Sequence, residues 1–267
     1  MNRIQLVEQI KARRSFLCIG LDTDRSKIPA HLLAESDPIF AFNRAIIDAT
    51  RDLCVSYKIN TAFYEAEGES GWISMRKTLA YIGSDHLVIA DAKRGDIGNT
   101  SDQYARAFFE TLTFDAITVA PYMGSDSVKP FLKWKDKWAI VLGLTSNEGA
   151  ADFELQPSGN QLLYERVLHT AAGWGTKDNM MFVIGATRAE AFANVRRILP
   201  DHFLLVPGVG AQGGSLKEVY QQGKNQEVGL LVNVSRAVIY ASDQADFATK
   251  AREAASVYQQ EMAVLLG

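Results

Sequence analysis

The chain has 267 residues, 47% hydrophobic and 22% charged, a globular composition that excludes disordered, collagen-like and coiled-coil chains. Its 28 basic and 31 acidic residues leave a formal charge of -3 with no basic run, which makes a nucleic-acid backbone a poor partner. Two cysteines, Cys18 and Cys54, form no disulfide framework and no zinc site and suit a reducing cytosol. No uncharged apolar stretch has the length of a membrane helix, and the charged start Met1–Glu8 does not read as a secretory leader. The expectation is a soluble cytoplasmic protein, an enzyme or a binder of small molecules.

Eight short runs rich in Val, Ile and Leu follow one another along the chain. They start near Phe16 (FLCIGL), Val55 (VSYKIN), Leu87 (LVIADA), Ala116 (AITVA), Ala139 (AIVLGL), Met181 (MFVIGA), Phe203 (FLLVPG) and Gly229 (GLLVNVS). Runs this apolar are buried on both faces, as strands of parallel sheets are. Helical spacing lies between them. Ala41 to Cys54 places Phe42, Ala45, Ile46, Ala49 and Leu53 on one stripe, and Asp102 to Leu112 does the same with Tyr104, Ala105, Phe108 and Leu112. Alternation of this kind over 267 residues predicts one (β/α)8 barrel domain, a TIM barrel spanning 1–267. The alternative is an open doubly wound sheet, which commonly carries Gly-x-Gly-x-x-Gly after its first strand. Here the first strand runs into Gly20-Leu21-Asp22-Thr23-Asp24 instead.

A barrel keeps its chemistry at the C-terminal ends of its strands. The first predicted strand leads to Asp22, the second to Lys58-Ile59-Asn60, and the third to Asp91-Ala92-Lys93-Arg94-Gly95-Asp96-Ile97-Gly98-Asn99-Thr100. Residues two apart on a strand face the same side, so Asp91 and Lys93 are expected to project together with Lys58 beside them. Burial of so many charges is tolerated only when they are paired. The bland reading is a structural ion-pair network at the rim; four such groups on adjacent strand ends favour function over it.

The seventh strand leads to Pro207-Gly208-Val209-Gly210-Ala211-Gln212-Gly213-Gly214, and the eighth to Asn233-Val234-Ser235-Arg236. Glycines let backbone N–H groups approach an anion, and Arg236 adds a guanidinium fork that matches phosphate. Loops after strands 7 and 8 are the usual phosphate site of such barrels. A phosphorylated small molecule fits this combination. The four histidines (His31, His86, His169 and His202) lie away from these ends and read as structural or solvated. No metal spacing is present. Asp22, Asp91 and Asp96 offer carboxylates to Mg²⁺, but Lys58 and Lys93 would occupy the same space.

Asp91-Ala92-Lys93-Arg94-Gly95-Asp96-Ile97 resembles the Asp-x-Lys-x-x-Asp-Ile motif of orotidine 5′-monophosphate decarboxylases. The resemblance extends through Asp22, Lys58, Thr145-Ser146, the Pro207–Gly214 loop and Arg236, nearly the whole chain. Glu65-Ala66-Glu67-Gly68 and Pro121-Tyr122-Met123-Gly124-Ser125-Asp126-Ser127 resemble a longer-chain bacterial branch of the family. The resemblance implies conversion of orotidine 5′-monophosphate to UMP, the last step of de novo pyrimidine biosynthesis, with no cofactor and no metal. It implies a charged network of Lys58, Asp91, Lys93 and Asp96 at the reacting carbon, with Lys93 as proton donor. Asp22 and Lys58 would contact the ribose hydroxyls and Ser146 the pyrimidine ring. On the phosphate side stand Pro207, Gln212, Ser235 and Arg236, with Gln212 and Arg236 holding the phosphate. Asp96, Ile97 and Thr100 would reach the partner's site in a homodimer with shared active sites.

The sequence departs from the family at three places. Gly98 stands where Pro is common, which predicts a looser turn. Ser235 stands where Gly is common and either adds a donor to the phosphate or narrows the site. Ala120 stands where a polar residue is frequent. Two other readings compete with decarboxylation of the nucleotide. One is a Mg²⁺-dependent sugar-phosphate decarboxylase of the same suprafamily; the other is a non-catalytic sensor of a phosphorylated ligand.

Overall fold

The computed structural model of the chain describes residues 1–210 and 213–267, and their side chains except those of Arg188 and Ala189. The strands of its main sheet are β1 (Leu17–Gly20), β2 (Ser56–Asn60), β3 (Leu87–Arg94), β4 (Ala116–Val119), β5 (Trp138–Leu144), β6 (Met180–Ile184), β7 (Phe203–Pro207) and β8 (Leu230–Val234). Each corresponds to one of the eight apolar runs in the sequence. Their hydrogen-bonded order follows the chain from β1 to β8 and then returns to β1, so the sheet closes into the (β/α)8 barrel that the alternation predicts. The parallel register sets Gly20 opposite Lys58 between β1 and β2, and Lys58 opposite Ile89 and Asn60 opposite Asp91 between β2 and β3.

Contacts divide the chain into two compact units, Arg3–Ala92 with Asn233–Gly267, and Lys93–Val232. In the first unit, Phe42 stacks on Phe247 at 5.2 Å and on Tyr240 at 5.9 Å. In the second, Trp138 meets Phe203 edge-on at 6.4 Å, and Phe108 meets Phe114 at 5.9 Å. All of these rings but the half-buried Tyr240 are buried, and they withdraw large apolar areas from water.

The helix expected from Ala41 to Cys54 runs from Pro38 to Thr50. Asp37 caps its start by accepting the Phe40 N–H at 3.1 Å, and Pro38 takes the first turn, where no N–H is needed. Its buried stripe includes Asn43, a polar residue that an apolar pattern passes over. Thr23 donates to Asn43 Oδ1 at 2.6 Å, and Asn43 Nδ2 donates to Tyr64 at 2.9 Å and Thr78 at 3.0 Å. The helix expected from Asp102 to Leu112 begins at Gly98 and changes at Ala107 into a π-helical turn ending at Thr111. A two-strand hairpin pairs Pro157–Ser158 with Gln161–Leu162; strands of two residues leave no periodic signal. Among the described residues, no helix is long and apolar enough to cross a membrane.

Candidate active site

In the first unit, three predicted charges meet. The Lys58 ammonium lies 2.9 Å from Asp91 Oδ2 and 3.4 Å from Asp22 Oδ1, and the Lys58 residue is only 4% exposed. Strand register brings this about, because Lys58 and Asp91 rise from adjacent strands near their C-terminal ends. Burial acts to strip Lys58 of its proton. The charges of Asp22 and Asp91 and the Asp91 hydrogen bond outweigh that effect, so the ammonium is held above its ordinary pKa.

Asp22 lies in a loop after β1 that is fixed at several backbone atoms. Leu21 N–H donates to Lys58 O at 2.8 Å, Tyr64 donates to Leu21 O at 3.1 Å, and Tyr240 donates to Asp22 O at 3.0 Å. Tyr240 also accepts the Asp24 N–H at 2.7 Å. Tyr64 is tied in turn to the buried Asn43. Sequence reasoning missed Tyr64, Tyr240 and Asn43, whose polar atoms serve a loop distant in the chain and leave no local pattern.

Ser235 and Arg236 follow β8 in the same unit. Ser235 Oγ donates to Gly20 O at 3.1 Å, and a Cβ at Gly20 would stand 2.7 Å from Ser235 Cβ. The serine hydroxyl, left open between two roles in the sequence, therefore anchors the end of β1, where only glycine leaves room. Arg236 begins a short helix ending at Ile239, and its side chain is exposed.

In the second unit, Lys93 is exposed and has φ 49°, in the left-handed region. Alternation along a strand assumes extended backbone, and the backbone at Lys93 departs from it. The Lys93 N–H donates to Thr118 Oγ1 at 2.9 Å.

Asp96 Oδ1 accepts the Ile97 N–H at 2.7 Å, and the Asp96 N–H donates to Ser101 Oγ at 3.1 Å. Ser101 Oγ also lies 2.8 Å from Asp96 O and 3.0 Å from Ser127 O. Thr100 N–H closes onto Ile97 O at 2.9 Å. The turn expected to be loose at Gly98 is thus tied by Asp96 and Ser101, and Ile97 is left 56% exposed.

Thr145, beside Ser146, donates its N–H to Glu154 Oε2 at 2.6 Å and its hydroxyl to Glu154 Oε1 at 2.8 Å. Glu154 was not singled out in the sequence, since a lone acidic residue in a loop carries no signal. After Pro207 the chain turns through Gly208 and Gly210 at φ 98° and 75°, and Gly214 N–H returns to Gly208 O at 3.3 Å. Gln212 lies outside the described residues. Among the described residues, no group of three or more His, Cys, Asp or Glu side chains is arranged to hold a metal ion.

The Lys58, Asp22 and Asp91 cluster of the first unit concentrates ammonium and carboxylate charge at strand ends. The chain is similar over its whole length to known proteins. The sequence model of the family described as Orotidine 5'-phosphate decarboxylase / HUMPS matches residues 15–251. A curated orotidine 5'-phosphate decarboxylase of Flavobacterium johnsoniae is 60% identical over 100% of this chain and 98% of its own length. One from Parabacteroides distasonis is 58% identical over 98% of this chain and 95% of its own. The solved structure of Leishmania donovani OMP decarboxylase superposes with a TM-score of 0.86 at 36% identity, over 99% of each chain.

Proposed function

The chain belongs to the orotidine 5′-phosphate decarboxylase / HUMPS family and is a carboxy-lyase that converts orotidine 5′-monophosphate to UMP, and we propose that it does so without a cofactor, through a ring carbanion that Lys93 protonates. The observation that carries this reading is the buried Lys58 ammonium held between Asp22 and Asp91. A cation fixed between two carboxylates is a preorganised charge pattern, formed before substrate arrives.

In the proposed reaction, the bond from the ring carbon to the carboxylate breaks and CO₂ leaves without the electron pair. That pair remains on the ring carbon, where the ammonium of Lys93 stabilises it and then transfers a proton to it. Water returns a proton to the lysine. Asp91 lies beside the departing carboxylate and keeps Lys58 charged. Asp22 and Lys58 hold the ribose hydroxyls, and Ser146 bonds the pyrimidine. Pro207, Gln212, Ser235 and Arg236 form the phosphate side, with Ser235 acting through its anchorage of Gly20. Enzymes lower the barriers of slow reactions by up to about 23 kcal/mol, more than one lysine supplies. The phosphate grip therefore contributes binding energy to the chemical step.

We further propose one barrel domain, a cytoplasmic location and a homodimer, in which Asp96, Ile97 and Thr100 of each chain complete the partner's site. The test is ultraviolet absorbance with orotidine 5′-monophosphate in excess chelator. Conversion to UMP at an undiminished rate supports the cofactor-free reading. Loss of turnover on chelation indicates a metal-dependent decarboxylase, and nucleotide binding without turnover indicates a sensor.

A further inference from the structure

The proton donor of the proposed reaction stands on backbone that its residue type disfavours. Lys93 has φ 49°, where a side chain on Cβ crowds the following carbonyl and where glycine is the usual occupant. Such a conformation persists when its surroundings over-determine it.

Three contacts within the second unit meet at this point. The Lys93 N–H donates to Thr118 Oγ1 at 2.9 Å. The Ala120 N–H donates to Arg94 O at 2.9 Å. The Arg94 guanidinium lies 5.6 Å from the ring centres of both Tyr104 and Phe108, a cation–π distance. Gly95 closes against the same segment, since a Cβ there would stand 2.8 Å from Ala120 O.

Thr118 is the informative residue. It is 1% exposed, within the run Ala116-Ile117-Thr118-Val119. Valine has the same shape and favours a strand equally, so the buried hydroxyl calls for a polar use. We propose that Thr118 is a positioning residue for the proton donor: by accepting the Lys93 N–H it holds the lysine backbone in the left-handed conformation that aims the ammonium. Arg94, seated on Tyr104 and Phe108, fixes the next residue and prevents the turn from unwinding. The inference rests on the reading of Lys93 as proton donor.

Relaxation of Lys93 toward an extended backbone swings its Cα–Cβ bond and displaces Nζ. Misplacement of a reacting group by about 1 Å costs on the order of 100-fold in rate. The experiment compares Thr118→Val and Thr118→Ser in steady-state kinetics on orotidine 5′-monophosphate, with UMP affinity by calorimetry and thermal melts. Thr118→Val is expected to lower kcat about 10- to 100-fold while KM and UMP affinity stay within about twofold. Thr118→Ser keeps the acceptor and is expected to recover to within about fivefold of wild type.

A Thr118→Val enzyme with wild-type kcat overturns the proposal, as does a serine variant no better than the valine one. Should Thr118→Val fail to fold, Thr118→Ser against Thr118→Ala decides the point, because both lack the methyl and only serine keeps the acceptor. Equal kcat in that pair also overturns it. Wild type and Lys93→Ala run alongside report separately on the proton-donor reading, through turnover by the first and its loss in the second.

Discussion

Lys58 and Asp91 form a 2.9 Å ion pair across β2 and β3, in a register that sets Asp91 opposite Asn60, two residues beyond Lys58. Both side chains are largely buried, and Asp22 shares the same ammonium at 3.4 Å. Removing one partner of a buried pair leaves uncompensated charge and costs about 3–5 kcal/mol. Lys58→Met is therefore expected to lose activity and about that much stability at pH 7.5. With the cation gone, Asp22 and Asp91 face each other without a counter-charge, and urea denaturation of wild type and variant at pH 7.5 measures the deficit.

Arg236 follows β8 and leaves its guanidinium exposed at the start of a short helix. Its charge-assisted bonds matter only where a phosphate is present to accept them. Arg236→Ala is expected to lower kcat/KM for orotidine 5′-monophosphate about 100-fold or more, with a much smaller effect on the nucleoside lacking phosphate. Equal losses on the two substrates would assign Arg236 a structural role.

His86 gives the fold an acid-sensitive point remote from the proposed chemistry. It is 3% exposed, its Nε2 donates to Arg51 O at 2.8 Å, and its Nδ1 meets no partner among the described residues. Burial pushes its pKa down to about 4, from an unfolded value near 6.5. Between these values the unfolded chain binds a proton that the folded chain does not. Stability attached to His86 is therefore present above about pH 6.5 and is lost as pH falls toward 4, by an amount on the order of 3 kcal/mol. His86→Gln keeps a donor for Arg51 O and does not titrate. Its denaturation midpoint is expected to fall less than that of wild type across this interval.

Subunit mixing tests the proposed shared site. Homodimers of Lys93→Ala and of Asp96→Ala should each be nearly inactive. In a two-fold dimer with reciprocal exchange, random pairing makes about half the dimers hybrids, each with one intact site. Activity should recover to about a quarter of wild type per total site. If Asp96 served its own chain, mixing would restore nothing, and a tag pull-down confirming hybrids would make that outcome decisive.

The strands were legible because runs such as LVIADA and FLLVPG are apolar on both faces, and the barrel followed from their alternation with helices. Asp22, Lys58 and Asp91 were legible as charges at strand ends, and register brings those three together. The backbone conformation of Lys93 was not legible. Period-two reasoning does not foresee a residue in the left-handed region, nor the bond from its N–H to Thr118, a residue that looks like any strand position. Asn43 was hidden for a related reason, since its partners Thr23, Tyr64 and Thr78 lie in separate parts of the chain. The π-helical turn at Ala107–Thr111 leaves the apolar spacing of a helix nearly unchanged and escapes a periodicity argument.

The most direct measurement of the account is turnover of orotidine 5′-monophosphate by wild type, Lys93→Ala and Lys93→Gly in chelator, with UMP affinity and thermal midpoint recorded on the same samples. Wild type is expected to convert the nucleotide and neither variant to do so detectably, with both variants folded and binding UMP. Glycine also relieves the left-handed backbone at φ 49°, so Lys93→Gly should be more stable than Lys93→Ala by about 1 kcal/mol. Near-normal turnover by either variant would contradict the account, because the carbanion would then take its proton from somewhere other than Lys93.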